Sequence, residues 1–220
     1  MTYLELSRSI EGKKLNQLTH DELAFVHLNE RNNKIKNGTL SSSITVLLRE
    51  IGHAKENIYS KNFLPISAAF TILDQLGFCY SRSDMQFDGD PNVSGIKKAL
   101  YYFVETSMTN EDRKALYALR NSLLHTASGI STPKFSNQKS YAFILDEDSD
   151  VLIKYPSTSW NGDFNTLSEE VWTRINPVIL IGIAESAVKV ALSCLYKGVL
   201  KNLPGISEKE IYHRFLKLNY

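Results

Sequence analysis

Two cysteines in 220 residues, Cys79 and Cys194, are too few and too far apart for a disulfide framework or a zinc motif. The chain must hold itself together by burying apolar surface, and its cysteine usage suits a reducing compartment. Net charge is also nearly missing: 25 Lys plus Arg against 24 Asp plus Glu leave a formal +1. Such a chain lacks the diffuse positive field of proteins that coat nucleic acid, so any RNA contact must come from a local basic site. The most apolar stretch, Val178 to Leu200, is interrupted by Glu185, Lys189 and Lys197. Its longest unbroken apolar run is too short for a membrane span and reads as a core helix. No charged-then-apolar leader opens the sequence, so a cytoplasmic protein without membrane contact is the expectation. Walker A, dinucleotide-type glycine and nucleophile-elbow patterns are all absent.

What the chain has is a string of helix starts. Thr19 and Glu22 form a capping box ahead of Leu23, Phe25, Val26 and Leu28, a helix that fades through Asn29–Lys34 and ends by Gly38. Ser41–Ser43 precede an apolar-periodic run to about Ser60, and Pro65 suits the first turn of a helix that stops at Gly77. A polar loop, Ser81 to Gly95, leads to a short helix around Ile96–Val104, and Thr109 with Asp112 caps the next. Beyond residue 125 the texture changes. Thr126–Gln138 is loop; Tyr141–Leu145 and Val151–Tyr155 are β-type and flank Asp146–Asp150, which predicts a hairpin with an acidic turn. A long helix is expected over about 167–200, with Pro177 as a kink or a fresh start. Ser207 opens a brief terminal helix. The expectation is one mostly α domain, residues 1–220, with a small β-hairpin insertion at about 141–155.

The stretch Tyr117-Ala118-Leu119-Arg120-Asn121-Ser122-Leu123-Leu124-His125 carries the strongest functional signal. Arg120 offers a permanent charge and a donor fork matched to phosphate. His125 supplies the one side-chain type whose unperturbed pKa allows proton transfer in either direction near neutrality. Asn121 and His125, four apart, share one face of a helix, with Arg120 one step round. Leu116, Leu119 and Leu123 with Ala115 form the stripe that faces the core at ~100° per residue. The far face carries Tyr117, Asn121, Leu124 and His125, too apolar for a solvated surface. It reads as a cleft wall or subunit interface, or as a face covered by another helix of the chain such as Val178–Leu192.

Arg120-Asn121-x-x-x-His125 resembles the signature of the HEPN superfamily, an arginine followed by a polar residue and then a histidine four to six residues on. The resemblance covers roughly 42–128, with 167–200 completing the helical core, and implies a HEPN-like helical bundle. Many members are metal-independent ribonucleases or RNA-binding proteins of toxin–antitoxin and phage-defence systems. It therefore implies RNA as substrate, a homodimer in which two signature helices meet, no metal or cofactor, and an antitoxin or defence-system protein as partner. In that reading His125 is the general base or acid, Arg120 stabilises charge on the phosphoryl group, and Asn121 orients either. Tyr117 and Ser122 are lesser substrate contacts, and Lys97, Lys98 and Lys114 a basic rim. The competing reading is a non-catalytic module that binds RNA or protein through the same face.

Other clusters have plainer explanations. His20 and His27 are two helical turns apart without a third ligand. Asp84, Asp88 and Asp90 do not fit an EF-hand, and turn chemistry accounts for Asp88-Gly89-Asp90-Pro91. Asp146–Asp150 reads as a solvated turn that could also meet a basic partner. Trp160 and Trp172 read as packing anchors.

Overall fold

The computed structural model describes residues 2–87, 89–90, 93–133, 139–203 and 205–219. The Asp88–Pro91 turn, the end of the Thr126–Gln138 loop and Pro204 therefore fall wholly or partly outside the described residues. Two apolar helices, α4 (Leu64–Cys79) and α7 (Pro177–Tyr196), form the centre of the protein. Both carry proline in the first turn, where the missing N–H has no partner to lose. Around them pack α2 (His20–Leu28), α3 (Ser43–Lys55), α5 (Gly95–Tyr102) and α6 (Asn110–Thr126). One cluster of buried apolar side chains runs from Leu6 in α1 (Tyr3–Glu11) to the C-terminal strand. The expected caps form: Thr19 accepts from Glu22 N–H, Ser42 from Thr45 N–H, Thr109 from Asp112 N–H and Ser207 from Glu210 N–H. Helix α1 is capped the same way by Thr2 and Glu5, a signal the sequence reading passed over.

The expectation of a mostly α bundle with one hairpin is overturned. The described residues are 52% helical and 15% strand, with eight α-helices and three small sheets, a mixed α/β architecture. In the first sheet, β1 (Asn33–Ile35) and β2 (Gly38–Ser42) form a hairpin where a fading helix was expected. The C-terminal β9 (Leu216–Asn219), which follows α8 (Glu208–Phe215), pairs with β2. In the second, β3 (Tyr80–Arg82) pairs with β8 (Leu200–Asn202), tying together the C-terminal ends of α4 and α7. In the third the order is β4 (Ile130–Ser131), β5 (Tyr141–Leu145), β7 (Trp172–Ile175), β6 (Ile153–Lys154).

The predicted 141–155 hairpin does not form, because β7 lies between its two strands, parallel to β5 and antiparallel to β6. Trp172-Thr173-Arg174-Ile175 alternates between partly buried and buried positions, a strand pattern that a helix drawn from 167 had absorbed. Asn176 then caps α7 and Pro177 starts it afresh. The sheet is clamped to the start of α6 by two phenols: Tyr141 donates to Glu111 at 3.1 Å and Tyr155 to Asp112 at 2.9 Å. Burial, reinforced by those carboxylates, pushes both phenols far above their ordinary range. Among the described residues α7 is the one helix long and apolar enough to cross a membrane, and half of that stretch is buried inside the protein.

Between α2, α3, α4, β3 and the end of α8 lies a buried polar network. His27, fully buried, meets the Tyr80 hydroxyl through Nδ1 at 2.8 Å and Gln75 Oε1 through Nε2 at 3.3 Å. Ser43 donates to the same Gln75 oxygen, and Phe215 stacks on the imidazole at 5.1 Å. Burial drives the His27 pKa from 6.5 down to about 4, against a smaller opposing pull from Gln75. The unfolded chain thus takes up a proton that the folded chain refuses. The resulting stability is complete above pH 6.5 and is lost as pH falls toward about 4. The loss amounts to about 3 kcal/mol over that window. Urea titrations from pH 7 to pH 4 should show this decline in the wild type, and a His27→Gln variant should lose most of it. Equal pH slopes for the two proteins would refute the assignment.

Candidate functional site

Helix α6 presents Arg120, Asn121 and His125 together. The Arg120 Nη1 donates to Asn121 Oδ1 at 3.0 Å and lies 3.4 Å from His125 Nε2. A guanidinium only donates, so the contact is a hydrogen bond in the ring tautomer that leaves Nε2 as the acceptor. His125 is exposed, Arg120 and Asn121 half-buried. The helix ends two residues past the histidine, at Ala127 in the left-handed conformation (φ 50°), whose N–H closes onto Leu123 O.

The residue that sets this geometry was not anticipated. Asp74 of α4 receives the other edge of the guanidinium, from Nε at 2.8 Å and from Nη2 at 2.7 Å, both on Oδ2. Its second oxygen, Oδ1, accepts the Ile96 N–H at 3.1 Å and so caps the first turn of α5. One carboxylate thus joins three helices. The arrangement requires α4 and α5 to touch backbone to backbone. A Cβ on Gly77 would lie 1.8 Å from Gly95 O, and one on Gly95 would lie 2.5 Å from Asp74 O. Only glycine at both positions lets Asp74 reach the α5 terminus and Arg120 at once. The signal for Asp74 was legible, since it carries the one charge in the sixteen residues of α4. A lone charge on an otherwise apolar buried helix needs a partner.

The remaining expected residues divide. Lys97 of α5 places its Nζ 4.6 Å from the centre of the Tyr117 ring, so these two meet on the flank of the cluster. Lys98 is half-buried and Lys114 exposed. Lys114 lies six residues before Arg120, about 9 Å along the helix at 1.5 Å per residue. Ser122 is buried and its hydroxyl donates to Leu119 O at 3.0 Å, which turns it toward the core and away from the cluster. Leu124 is half-buried. The elements packed most closely on α6 are α4, α5, β4 and β5, and the long α7 is not among them.

Compared with protein-family models, with curated proteins and with solved structures, the chain finds no match. Among the described residues no group of three His, Cys, Asp or Glu side chains is placed to hold a metal ion. Two depressions are described elsewhere. One is a slot of about 20 Å³ between Glu111, Tyr141, Tyr155 and Trp160; the other is an open groove of about 310 Å³ between Glu30, Arg49, Glu185 and Lys189. Neither is lined by Arg120, Asn121 or His125. What the cluster can do is bind an anion at the guanidinium and exchange a proton at the adjacent imidazole.

Asp74→Ala would leave Arg120 without its counter-charge and Ile96 N–H without its cap. The expected loss of stability is about 2–3 kcal/mol. Asp74→Asn, which keeps an acceptor for the cap, should cost about half as much. Urea unfolding of both variants measures the difference, and a loss under about 0.5 kcal/mol for Asp74→Ala would contradict the bridging role.

Proposed function

We propose that the protein is a metal-independent endoribonuclease of the HEPN type, with Arg120 and His125 as its catalytic residues and the cytoplasm as its compartment. The observation that carries the reading is the convergence of Arg120 Nη1 and the exposed His125 Nε2, 3.4 Å apart. RNA brings its own nucleophile, the 2′-hydroxyl beside each phosphodiester. A phosphodiester seated on the guanidinium would set that hydroxyl near Nε2, which accepts its proton. Arg120 would then stabilise the charge growing on the phosphoryl oxygens, and the protonated imidazole, or its counterpart in a second copy, would return a proton to the leaving 5′-oxygen. The products are a 2′,3′-cyclic phosphate and a 5′-hydroxyl. Asn121 tethers the guanidinium, and Lys97 beside Tyr117 offers a flanking cation. A homodimer joined through Tyr117, Asn121, Leu124 and His125 would turn this face into a walled site. Its role would be that of a toxin or phage-defence effector held in check by a partner protein.

One observation favours the binding-module reading instead. Asp74 already neutralises one edge of Arg120. A face of that kind would hold an RNA backbone or a second copy without cleaving anything.

Labelled RNA incubated with chelator separates the two. The nuclease should cut it, and a single 2′-deoxy substitution at the cut site should block cleavage there. His125→Ala should lower cleavage by at least about 100-fold with RNA affinity little changed. Arg120→Ala should lose both cleavage and affinity, and Arg120→Lys should recover only part, because a point charge lacks the fork. Cleavage through the deoxy position, or its disappearance with chelator, would overturn the mechanism. An uncleaved RNA whose affinity falls in both alanine variants would establish the binding module.

A further inference from the structure

At the end of the protein where α4 and α7 begin, large apolar side chains stand in solvent. The turn between α3 and α4 exposes Ile58 (73%) and Tyr59 (91%), followed by Phe63 (39%) and Leu64 (54%). Val178 in the first turn of α7 is 61% exposed, and Val151 is 45%. Hydrogen bonds and one ion pair draw these segments together. Lys61 of the turn pairs with Glu147 at 3.4 Å. Asn176, the cap of α7, donates to Glu147 O at 3.2 Å and Ser149 O at 2.6 Å, and its own N–H donates to Leu152 O. The turn, the 146–151 loop and the start of α7 therefore form one surface. A helix-to-helix turn with no apolar role would be polar, and this one gives up four large side chains to water.

Charge says what the surface accepts. Three of its cations are already used, Lys55 by Glu185, Lys61 by Glu147 and Arg174 by Asp146, which leaves Lys154 exposed without an ion pair among the described residues. Glu56, Asp148 and Asp150 are exposed and form no ion pair among the described residues. The rim left over is negative, which repels RNA and an anionic membrane and attracts a basic polypeptide. We propose that this surface docks a segment of a partner protein whose apolar side chains seat against Ile58, Tyr59, Phe63, Leu64 and Val178 and whose lysines or arginines meet Asp148 and Asp150. It is separate from the Arg120–His125 cluster and does not depend on what that cluster does. Tyr59, almost fully exposed and carrying both an apolar ring and a polar tip, is the natural anchor.

The test is fluorescence anisotropy with a labelled amphipathic peptide of leucine and lysine, its leucine–glutamate counterpart, and the full-length protein. The lysine peptide should bind saturably and release as salt rises, and the glutamate peptide should not bind. The double variant Ile58→Ser, Tyr59→Ser should weaken binding at least about tenfold. Asp148→Lys with Asp150→Lys should weaken it about tenfold and remove the salt dependence. All four positions are exposed, so the fold is spared. Equal affinity across the variants, or equal binding of both peptides, would overturn the proposal. Displacement of the peptide by RNA would do so too. Concentration-dependent self-association abolished by the Ile58/Tyr59 variant would overturn it in favour of a second copy as occupant.

Discussion

Asp74 stands between an electropositive helix terminus and a guanidinium, and the placing of α5 and α6 on the apolar centre depends on it. An isolated carboxylate on an apolar helix would be costly to bury. Here both oxygens are used, one by the Ile96 N–H and one by Arg120, so the charge is satisfied inside the contact it organises. The interaction exists because Gly77 and Gly95 let two helices approach to backbone contact. A side chain at either glycine would push α5 outward, and the carboxylate would then reach one partner or the other.

That constraint propagates to the surface. With one edge of its guanidinium fixed by Asp74, Arg120 is left with Nη1 directed at Asn121 and His125, and the long side chain loses the freedom that an unpaired surface arginine would keep. The protein therefore presents a pre-oriented donor beside an exposed imidazole. Preorganisation of this kind has a cost, since part of the arginine's charge is already balanced. The remaining field must come from Lys97 or from a second copy of the same face.

Helix existence was readable where caps preceded apolar-periodic runs, as at Thr19, Ser42, Thr109 and Ser207, because capping is a local effect within four residues. Among the strands, Tyr141–Leu145 was readable and Ile153–Lys154 fell within the run Val151–Tyr155, but the others and the pairing were not, because these strands are short and their partners non-local. Asn33–Ile35 and Gly38–Ser42 looked like the frayed end of a helix, and β9, which completes their sheet, lies some 180 positions away. Trp172–Ile175 was hidden by the apolar helix that follows it. In the site, Arg120, Asn121 and His125 came from one helical turn and a half, so spacing alone could group them. Asp74 came from another helix, and Ser122, named for its chemistry, turned out to point inward. The His27 network was likewise out of reach, since its members come from α2, α3, α4, β3 and the chain's last turn of helix.

The most direct test of the central claim is side-chain NMR of Arg120. If Asp74 holds the guanidinium, the Arg120 Nε–Hε group should give a sharp, downfield, slowly exchanging proton resonance in the wild type. That resonance should persist in Asn121→Ala and His125→Ala and collapse to the exchange-averaged position of a free arginine in Asp74→Asn. An averaged, rapidly exchanging Arg120 signal in the wild type, or one indifferent to Asp74→Asn, would contradict the account.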